Sequence, residues 1–485
     1  MSLQTRTRML IGGEWIDAGS RSIFPTHDPA TGKVIAELAE ATPVDVDAAV
    51  QAATQAFESA DWAGLVPAER ARLLLKVADL VERHADELAR LETTDQGQPL
   101  AVSSGFSIPM VVNQFRYHAG WATRLTGIAV DVSVPDIDYR TRREPLGVCG
   151  LILPWNFPIM LLAFKLAPAL ASGNTVVVKP AEQTSLSTIR LAELCVEAGL
   201  PPGVVNVVTG GGAVGKALVN HPGVAKISFT GSTDVGREIG ATAGRALKRV
   251  SLELGGKAPS IIAADADIDA AVAGNLAGGL TNSGQVCAAY TRFYIARARA
   301  DEFVTKLGQS ARSMVLGHGL DAETQLGPLV SAEQADQVDQ YVKIGQDEGA
   351  TLVTGGARAG GELADGFFYQ PTVFTDVTDS MRIAREEIFG PVLSVIPYED
   401  EDELDLVTRA NDTDYGLAAV IWSNDVKVAN RLARKIRAGS IYVNMPPLLD
   451  PAAAWGGMKA SGLGRENGFD AIEAFTEVKS IWTAL

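Results

Sequence analysis

The chain has 485 residues, 47% hydrophobic and 21% charged, which is enough for two or three domains with sizeable cores. Its formal net charge of −16 argues against nucleic acid or an anionic membrane as the main partner. Three cysteines make no disulfide framework and fit a reducing compartment, while five scattered histidines form no HExxH spacing, so no metal is expected.

At the N-terminus, MSLQTRTRMLIGGEW offers only a short apolar run before Glu14, too short for a secretory signal. No stretch approaches the roughly 18 apolar residues of a spanning helix, and a cytoplasmic location is expected. The first 100 residues read as mostly helical: Leu73, Leu74, Val77, Leu80 and Val81 recur at the helical period, with charges on the other face. DVSVPDIDYRTRREP, 131–145, alternates polar and apolar residues without a crossover helix and reads as an excursion from a sheet, in the form of a hairpin.

From residue 146 strands and helices alternate. LGVCGLILP, NTVVVKP, VVNVVTG, AKISFTG and VSLEL read as strands, with MLLAFKLAPALASG, SLSTIRLAELCVEAGL, GKALVNHPG and STDVGREIGATAG as the helices between them. That pattern is a doubly wound parallel sheet, which binds ligands at the carboxyl ends of its strands. A second α/β region follows residue 256, with strands such as FYIAR and PVLSVIPYE and the Gly-rich loop VTGGARAGGELADG; TEVKSIWTAL reads as a terminal strand.

Four segments within this frame carry polar chemistry. In FTGSTDVG, 229–236, Gly231 and Ser232 lie where a strand gives way to a helix whose unpaired N–H groups suit a phosphate. KPAE, 179–182, closes the second strand, where an acidic residue can hold ribose hydroxyls; Lys179 and Glu182 are candidates for that role or a surface ion pair. GGGAVG, 210–215, matches GxGxxG but falls on the third strand-to-helix turn, so a tight turn is the preferred reading. The fourth is NSGQVCAAY, 282–290. Cys149 and Cys195 sit in apolar strand and helix patterns, as packing cysteines do, whereas Cys287 follows Asn282, Ser283, Gly284 and Gln285, a turn near solvent. On local context Cys287 reads equally as a nucleophile or as a third packing residue.

PWNFP at 154–158, KPAE at 179–182, FTGS at 229–232, LELGGK at 252–257, GQVC at 284–287, EEIFGPV at 386–392 and GGMKASGLGRE at 456–466 occur in one order. The series closely resembles the NAD(P)-dependent aldehyde dehydrogenase superfamily, and the likeness runs from IGGEW at 11–15 to TEVK at 476–479. The resemblance implies an α/β fold in three parts. These are a Rossmann-type doubly wound coenzyme domain (1–122 and 146–255), an α/β catalytic domain (256–469) and a small β oligomerisation element (123–145 and 470–485).

The resemblance also assigns roles. Cys287 matches the nucleophile, Asn156 the donor to the oxyanion, Glu253 the general base, and Lys165 and Glu466 a proton route from that base. Lys179, Glu182, Gly231 and Ser232 match contacts to adenosine ribose and pyrophosphate; Pro154, Trp155, Leu254, Gly255, Glu387 and Phe389 match the nicotinamide side. Phe157, Leu161, Phe164, Thr281, Val286, Leu449 and Trp455 match the wall of a substrate tunnel; none is charged, which favours an uncharged, apolar or aromatic aldehyde. Trp455 stands where relatives often have Phe. Glu477 matches a residue that bridges Arg249 and Arg465, within one subunit or across to its neighbour. NAD is favoured because Glu182 would repel a 2′-phosphate; Lys179 could attract one, which keeps NADP open. A small-molecule aldehyde is the expected partner, with neither nucleic acid nor membrane, in a homodimer or homotetramer.

The residue types suit this chemistry on their own terms. A thiolate adds to the aldehyde, an amide donor receives the alkoxide, and a carboxylate activates water against the thioester. An ordinary carboxylate is a weak base at pH 7, so burial must raise Glu253. Alternatives are a CoA-acylating relative, against which Glu253 argues, a thioester hydrolase, which has no use for KPAE and FTGS, and a catalytically silent protein on the same scaffold.

Overall fold

The strands Val148–Ile152, Thr175–Lys179, Val205–Val207 and Lys226–Thr230 are buried along their whole length in the computed structural model, which describes residues 6–399 and 403–485. Strands buried on both faces need helices on both sides of the sheet. Those helices are Pro158–Ala171, Leu186–Glu197, Gly212–Asn220 and Thr233–Arg245, as the alternating pattern predicts. With Arg249–Glu253 the strands run parallel in the spatial order third, second, first, fourth, fifth, so the order reverses between Val148–Ile152 and Lys226–Thr230. Gly462–Leu463, from far along the chain, adds an antiparallel edge beside Arg249–Glu253.

A second sheet of seven strands carries Ala258–Ile262, Tyr290–Ala296, Val392–Tyr398 and Ala418–Trp422 at its centre. Only residues 254–257 separate Glu253, the end of the first sheet's last parallel strand, from Ala258, the start of the second sheet.

Two elements differ from expectation. The first 100 residues do contain the helix Pro67–Arg83 with the anticipated apolar face, but residues 9–39 hold four strands. Met9–Ile11 and Glu14–Ile16 are three residues each, too short for an alternating pattern, and are strands because Met9–Ile11 pairs with Val205–Val207. Ile23–Asp28 and Lys33–Ala39 pair antiparallel around a turn at Gly32. The 131–145 excursion is not a self-contained hairpin. Its strand Ile137–Pro145 pairs along nine residues with the terminal strand Thr476–Ala484, and locally meets only the short stretch 128–130, through the Ala129–Arg140 bridge and the bonds from Thr141 N–H to the Ile128 carbonyl at 2.8 Å and Val130 N–H to the Tyr139 carbonyl at 3.4 Å. Within the chain Glu477 meets Arg249, whereas Arg465 donates to the Gly457 and Gly464 carbonyls at 2.8 and 2.7 Å.

The helices Pro158–Ala171 and Leu186–Glu197 have no caps of their own: neither Phe157 nor Ser185 makes a side-chain cap bond. One helix, Ala85–Gln96, supplies both from a distance. Glu92 accepts from the Ile159 N–H at 3.4 Å and Asp95 from the Leu186 N–H at 2.9 Å. Both carboxyls are fully buried, and burial lifts Glu92 to about 8 and Asp95 to about 7. The folded state therefore holds a proton on Glu92 between its ordinary 4.5 and about 8, and stability falls as pH rises through that window. In thermal melts from pH 5 to 9, Glu92→Gln is expected to gain on the parent up to about pH 8 and no further. A pH-independent difference would show that Glu92 is not held neutral.

Candidate active site

The reversal of strand order opens a crevice from which Leu153–Asn156 leave one strand and Gly231–Ser232 the other. A cavity of about 510 Å³ lies there, walled by Lys179, Glu182, Gly231 and Ser232 on the helix-bearing side. Lys179 Nζ donates to Glu182 at 3.3 Å, and burial pulls the ammonium below its usual range, with Glu182 opposing. Ser232 caps the helix Thr233–Arg245. Gly212 and Gly215 also line this cavity, so the GxGxxG segment that the sequence reads as a mere turn lies on its wall. A Cβ on Gly212 would meet nothing within 4 Å, so protein packing does not explain the glycine. Pro154, Trp155, Thr230, Gly231 and Ser232 are shared with a second cavity of about 210 Å³, which reaches Asn156, Glu253, Leu254, Gly255, Cys287, Glu387 and Phe389.

Cys287 is presented by an unusual turn. Asn282, Ser283 and Gly284 are all left-handed, with φ of 51°, 57° and 72°. Such a run persists only if it is tied down. Asn282 Nδ2 donates to the Asn156 carbonyl at 2.8 Å and Ser283 Oγ to the Gly327 carbonyl at 2.6 Å, while a Cβ on Gly284 would lie 2.2 Å from the Gly390 carbonyl. Asn156 Nδ2 in turn donates to the Gln285 carbonyl at 2.9 Å, leaving its second N–H for a ligand. The turn is buried rather than near solvent, because it is packed under the 327–330 and 389–391 loops. Burial, with Glu387 and Glu253 nearby, pushes the Cys287 thiol up to about 12. Cys149 and Cys195 are fully buried in the core, as packing residues are.

The two glycines of LELGGK have a steric purpose. A Cβ on Gly255 would sit 2.1 Å from Glu387 Oε2, and one on Gly256 2.2 Å from the Cys287 carbonyl oxygen. Without side chains, the Gly256 N–H reaches Glu387 Oε1 at 2.9 Å. Burial lifts Glu387 to about 7. Phe389, at φ 58°, stands edge-on to Trp155 with centroids 5.1 Å apart. Gln334 Nε2 holds its carbonyl at 2.9 Å, and Gln337 Nε2 holds that of Ile388 at 3.1 Å.

Glu253 is 4% exposed, and neither carboxyl oxygen has a hydrogen-bond partner among the described residues. Burial, then repulsion from Glu466, holds it well above the carboxylate range against the pull of Lys165 and Arg465. Lys165 and Glu466 form a buried ion pair, and Lys165 Nζ also donates to Thr230 Oγ1 at 2.7 Å.

The matching family model, the aldehyde dehydrogenase family, spans residues 15–481.

The chain belongs to the aldehyde dehydrogenase family.

It is 47% identical to the DhaS protein of Bacillus subtilis (strain 168), over 100% of this chain and 97% of that one. It is 45% identical to the phenylacetaldehyde dehydrogenase of Pseudomonas fluorescens, over 98% and 95%. The NAD+ complex structure of an aldehyde dehydrogenase from Bacillus cereus superposes with a TM-score of 0.97 at 45% identity, over 100% of this chain and 98% of that one.

In this aldehyde dehydrogenase, the tunnel residues expected from sequence fall into two groups. Phe157, Leu161 and Phe164 form a buried cluster with Met110 and Met160, and Val286 and Leu449 pack on it. Trp455 belongs to the adjoining core, which also packs on Val286, Cys287 and Leu449. Thr281 gives its hydroxyl to the Ala277 carbonyl at 2.6 Å. Sequence reasoning missed Val102, Phe106 and Met110 on this cluster, and Gln334 and Gln337 on the smaller cavity. Phe106 meets Phe157 edge-to-face at 6.2 Å. Nothing in the local sequence separates these residues from ordinary helix positions.

A thiol lifted to about 12 is mostly protonated at neutral pH. In the cofactor-free aldehyde dehydrogenase, iodoacetamide should label Cys287 at a rate that climbs about tenfold per pH unit from 7 to 9, followed by mass spectrometry. A plateau below pH 8 would mean that the thiolate is stabilised by a group not identified above.

Proposed function

We propose that this enzyme oxidises uncharged, apolar or aromatic aldehydes to carboxylic acids with NAD, through a thiohemiacetal and a thioester on Cys287. The observation that carries this reading is the convergence of Cys287, Asn156 and Glu253 on one cavity of about 210 Å³ that adjoins the larger crevice. A dinucleotide suits that pair of cavities. Lys179 and Glu182 would hold the adenosine ribose, and Gly231 and Ser232, at the N-terminus of Thr233–Arg245, the pyrophosphate. Pro154, Trp155, Leu254, Gly255, Glu387 and Phe389 would surround the nicotinamide half. When bound, NAD supplies the hydride acceptor.

The residues of the chain then divide the work. The Cys287 thiol gives its proton to solvent and adds as the thiolate to the carbonyl carbon, and the free N–H of Asn156 and the Cys287 backbone N–H receive the alkoxide. Loss of the aldehydic hydride leaves the acyl group as a thioester on Cys287. Glu253, unpaired and raised by burial, takes a proton from water, whose hydroxide displaces the thiolate and releases the acid. Lys165 and Glu466 carry that proton onward. Retention of Glu253 favours hydrolysis over acyl transfer to CoA, and the uncharged cluster of Phe157, Leu161 and Phe164 favours apolar and aromatic substrates.

The same reading divides the chain into a coenzyme domain (1–122 and 146–255), a catalytic domain (256–469) and an oligomerisation element (123–145 and 470–485). The strand Thr476–Ala484 supports a homodimer or homotetramer, since Val478 and Trp482 are 56% and 58% exposed on it. No helix among the described residues is long and apolar enough to cross a membrane. A cytoplasmic location is part of this reading.

NADH absorbance with a panel of aliphatic and aromatic aldehydes, against NAD and NADP, tests it. Turnover with NAD, independent of CoA and highest in kcat/KM for apolar or aromatic members, is expected; a requirement for CoA would refute the hydrolytic step. Cys287→Ser should abolish turnover. Asn156→Ala should slow hydride transfer by about 10²–10³. Glu253→Gln should give a burst of NADH near one per site and then stall. No burst, with a slow first turnover, would place Glu253 before the thioester.

A further inference from the structure

Immediately after Glu466 the backbone takes a conformation that its residue does not favour. Asn467 has φ 60° and ψ 173°, a region almost reserved for glycine. It begins the short helix Gly468–Ala474, where an asparagine ordinarily turns its side chain back to cap the first N–H groups. Here it makes no such bond. Its Oδ1 instead accepts from Gln114 Nε2 at 2.8 Å, and both residues are fully buried although 353 positions apart. Gln114 is held by its own helix, Ile108–Ala122. On the other side Glu466 is fixed by two backbone bonds to Trp455, at 2.6 and 2.7 Å, and Gly468 donates to the Pro451 carbonyl at 2.8 Å.

We propose that Gln114 is a positioning residue: by anchoring the Asn467 side chain it holds residue 467 in its strained conformation, and so aims the Glu466 carboxyl at Lys165. The inference rests on the reading that Lys165 and Glu466 carry the proton released at Glu253. If the anchor is lost, an asparagine relaxes toward an ordinary backbone conformation and pulls against the Trp455 bonds that set the preceding residue. Glu466 Oε1, now bound to Lys165, would leave it, and Glu466 Oε2 has no partner among the described residues to hold the carboxyl in place. Gln114 touches none of the reacting groups; its other contact, Nε2 to Met110 Sδ at 3.9 Å, is one that a methionine at 114 replaces with apolar packing, so the consequence falls on the proton-transfer step. A glycine at 467 needs no anchor, because this conformation costs it nothing.

The experiment is stopped-flow NADH formation with the full enzyme, aldehyde and NAD. Gln114→Met, which keeps the shape and removes the hydrogen bond, should retain the first-turnover hydride rate and the KM for NAD. Its post-burst rate should fall about tenfold or more. The double variant Gln114→Met/Asn467→Gly should recover most of that rate, and Asn467→Gly alone should stay close to the parent. A normal post-burst rate in Gln114→Met overturns the proposal, as do equal losses in both phases or a double variant that fails to recover. Glu466→Gln in the same assay separates the two levels. If it stalls while Gln114→Met does not, only the positioning role fails; if it turns over normally, the proton route itself is wrong.

Discussion

The site depends on a backbone contact that only glycine permits. Residues 254–257 are the whole passage from the first sheet to the second, and at 255 and 256 they run against Glu387 and the Cys287 carbonyl so closely that a Cβ would lie 2.1 or 2.2 Å away. No real side chain tolerates that approach. Because of it, the carboxyl edge of one sheet, which ends in Glu253, and the amino edge of the other, which the Cys287 turn precedes, face a single cavity. A Cβ at the seam would press on the Glu387 carboxyl or the Cys287 carbonyl oxygen.

That closeness sets the electrostatics. Glu253, Glu387 and Cys287 sit together in a poorly solvated space, and each is raised by burial. Lys257, the last residue of the passage, is buried with no partner for its Nζ among the described residues and is pulled down to about 7 by burial and by Arg292. Groups kept in neutral forms spare the seam the cost of several buried charges. They also make it a place where small changes of surroundings move protons, as acid–base chemistry near neutral pH needs. The salt bridge nearby, Lys165 with Glu466, is tied by direct contact and by Thr230.

Much of the fold was legible. The strands and helices between 148 and 253 follow from apolar runs broken by Gly and Pro, because each is long enough to carry its own period. The failures were local signals too short or too remote to read. Met9–Ile11 is a strand only because Val205–Val207 is beside it, and Ile137–Pro145 finds its partner at the opposite end of the chain. Of the residues that line the smaller cavity and the apolar cluster, Cys287, Glu253 and Asn156 stood out in the sequence through ordered motifs, while Gln334, Gln337 and Phe106 lie on helical stretches whose composition matches any half-exposed surface.

By itself the sequence determined the inventory: a parallel doubly wound sheet, a thiol in a polar turn, a carboxylate and an amide near strand ends, and an uncharged set of apolar side chains around them. These follow from local chemistry, since period, turn residues and side-chain type act within a few positions. Tertiary structure decided what each group can do. The passage at 255–256 looks like an ordinary Gly-Gly until Glu387 and Cys287 are placed against it. The GxGxxG segment reads as a turn until its glycines are found on a cavity wall. Glu92 and Asp95 look like surface acids on a helix until they cap two other helices, and Asn467 like a helix cap until Gln114 takes its side chain. The reason is one of range: burial and hydrogen-bond partners set protonation and strain, and both are supplied by residues tens to hundreds of positions away.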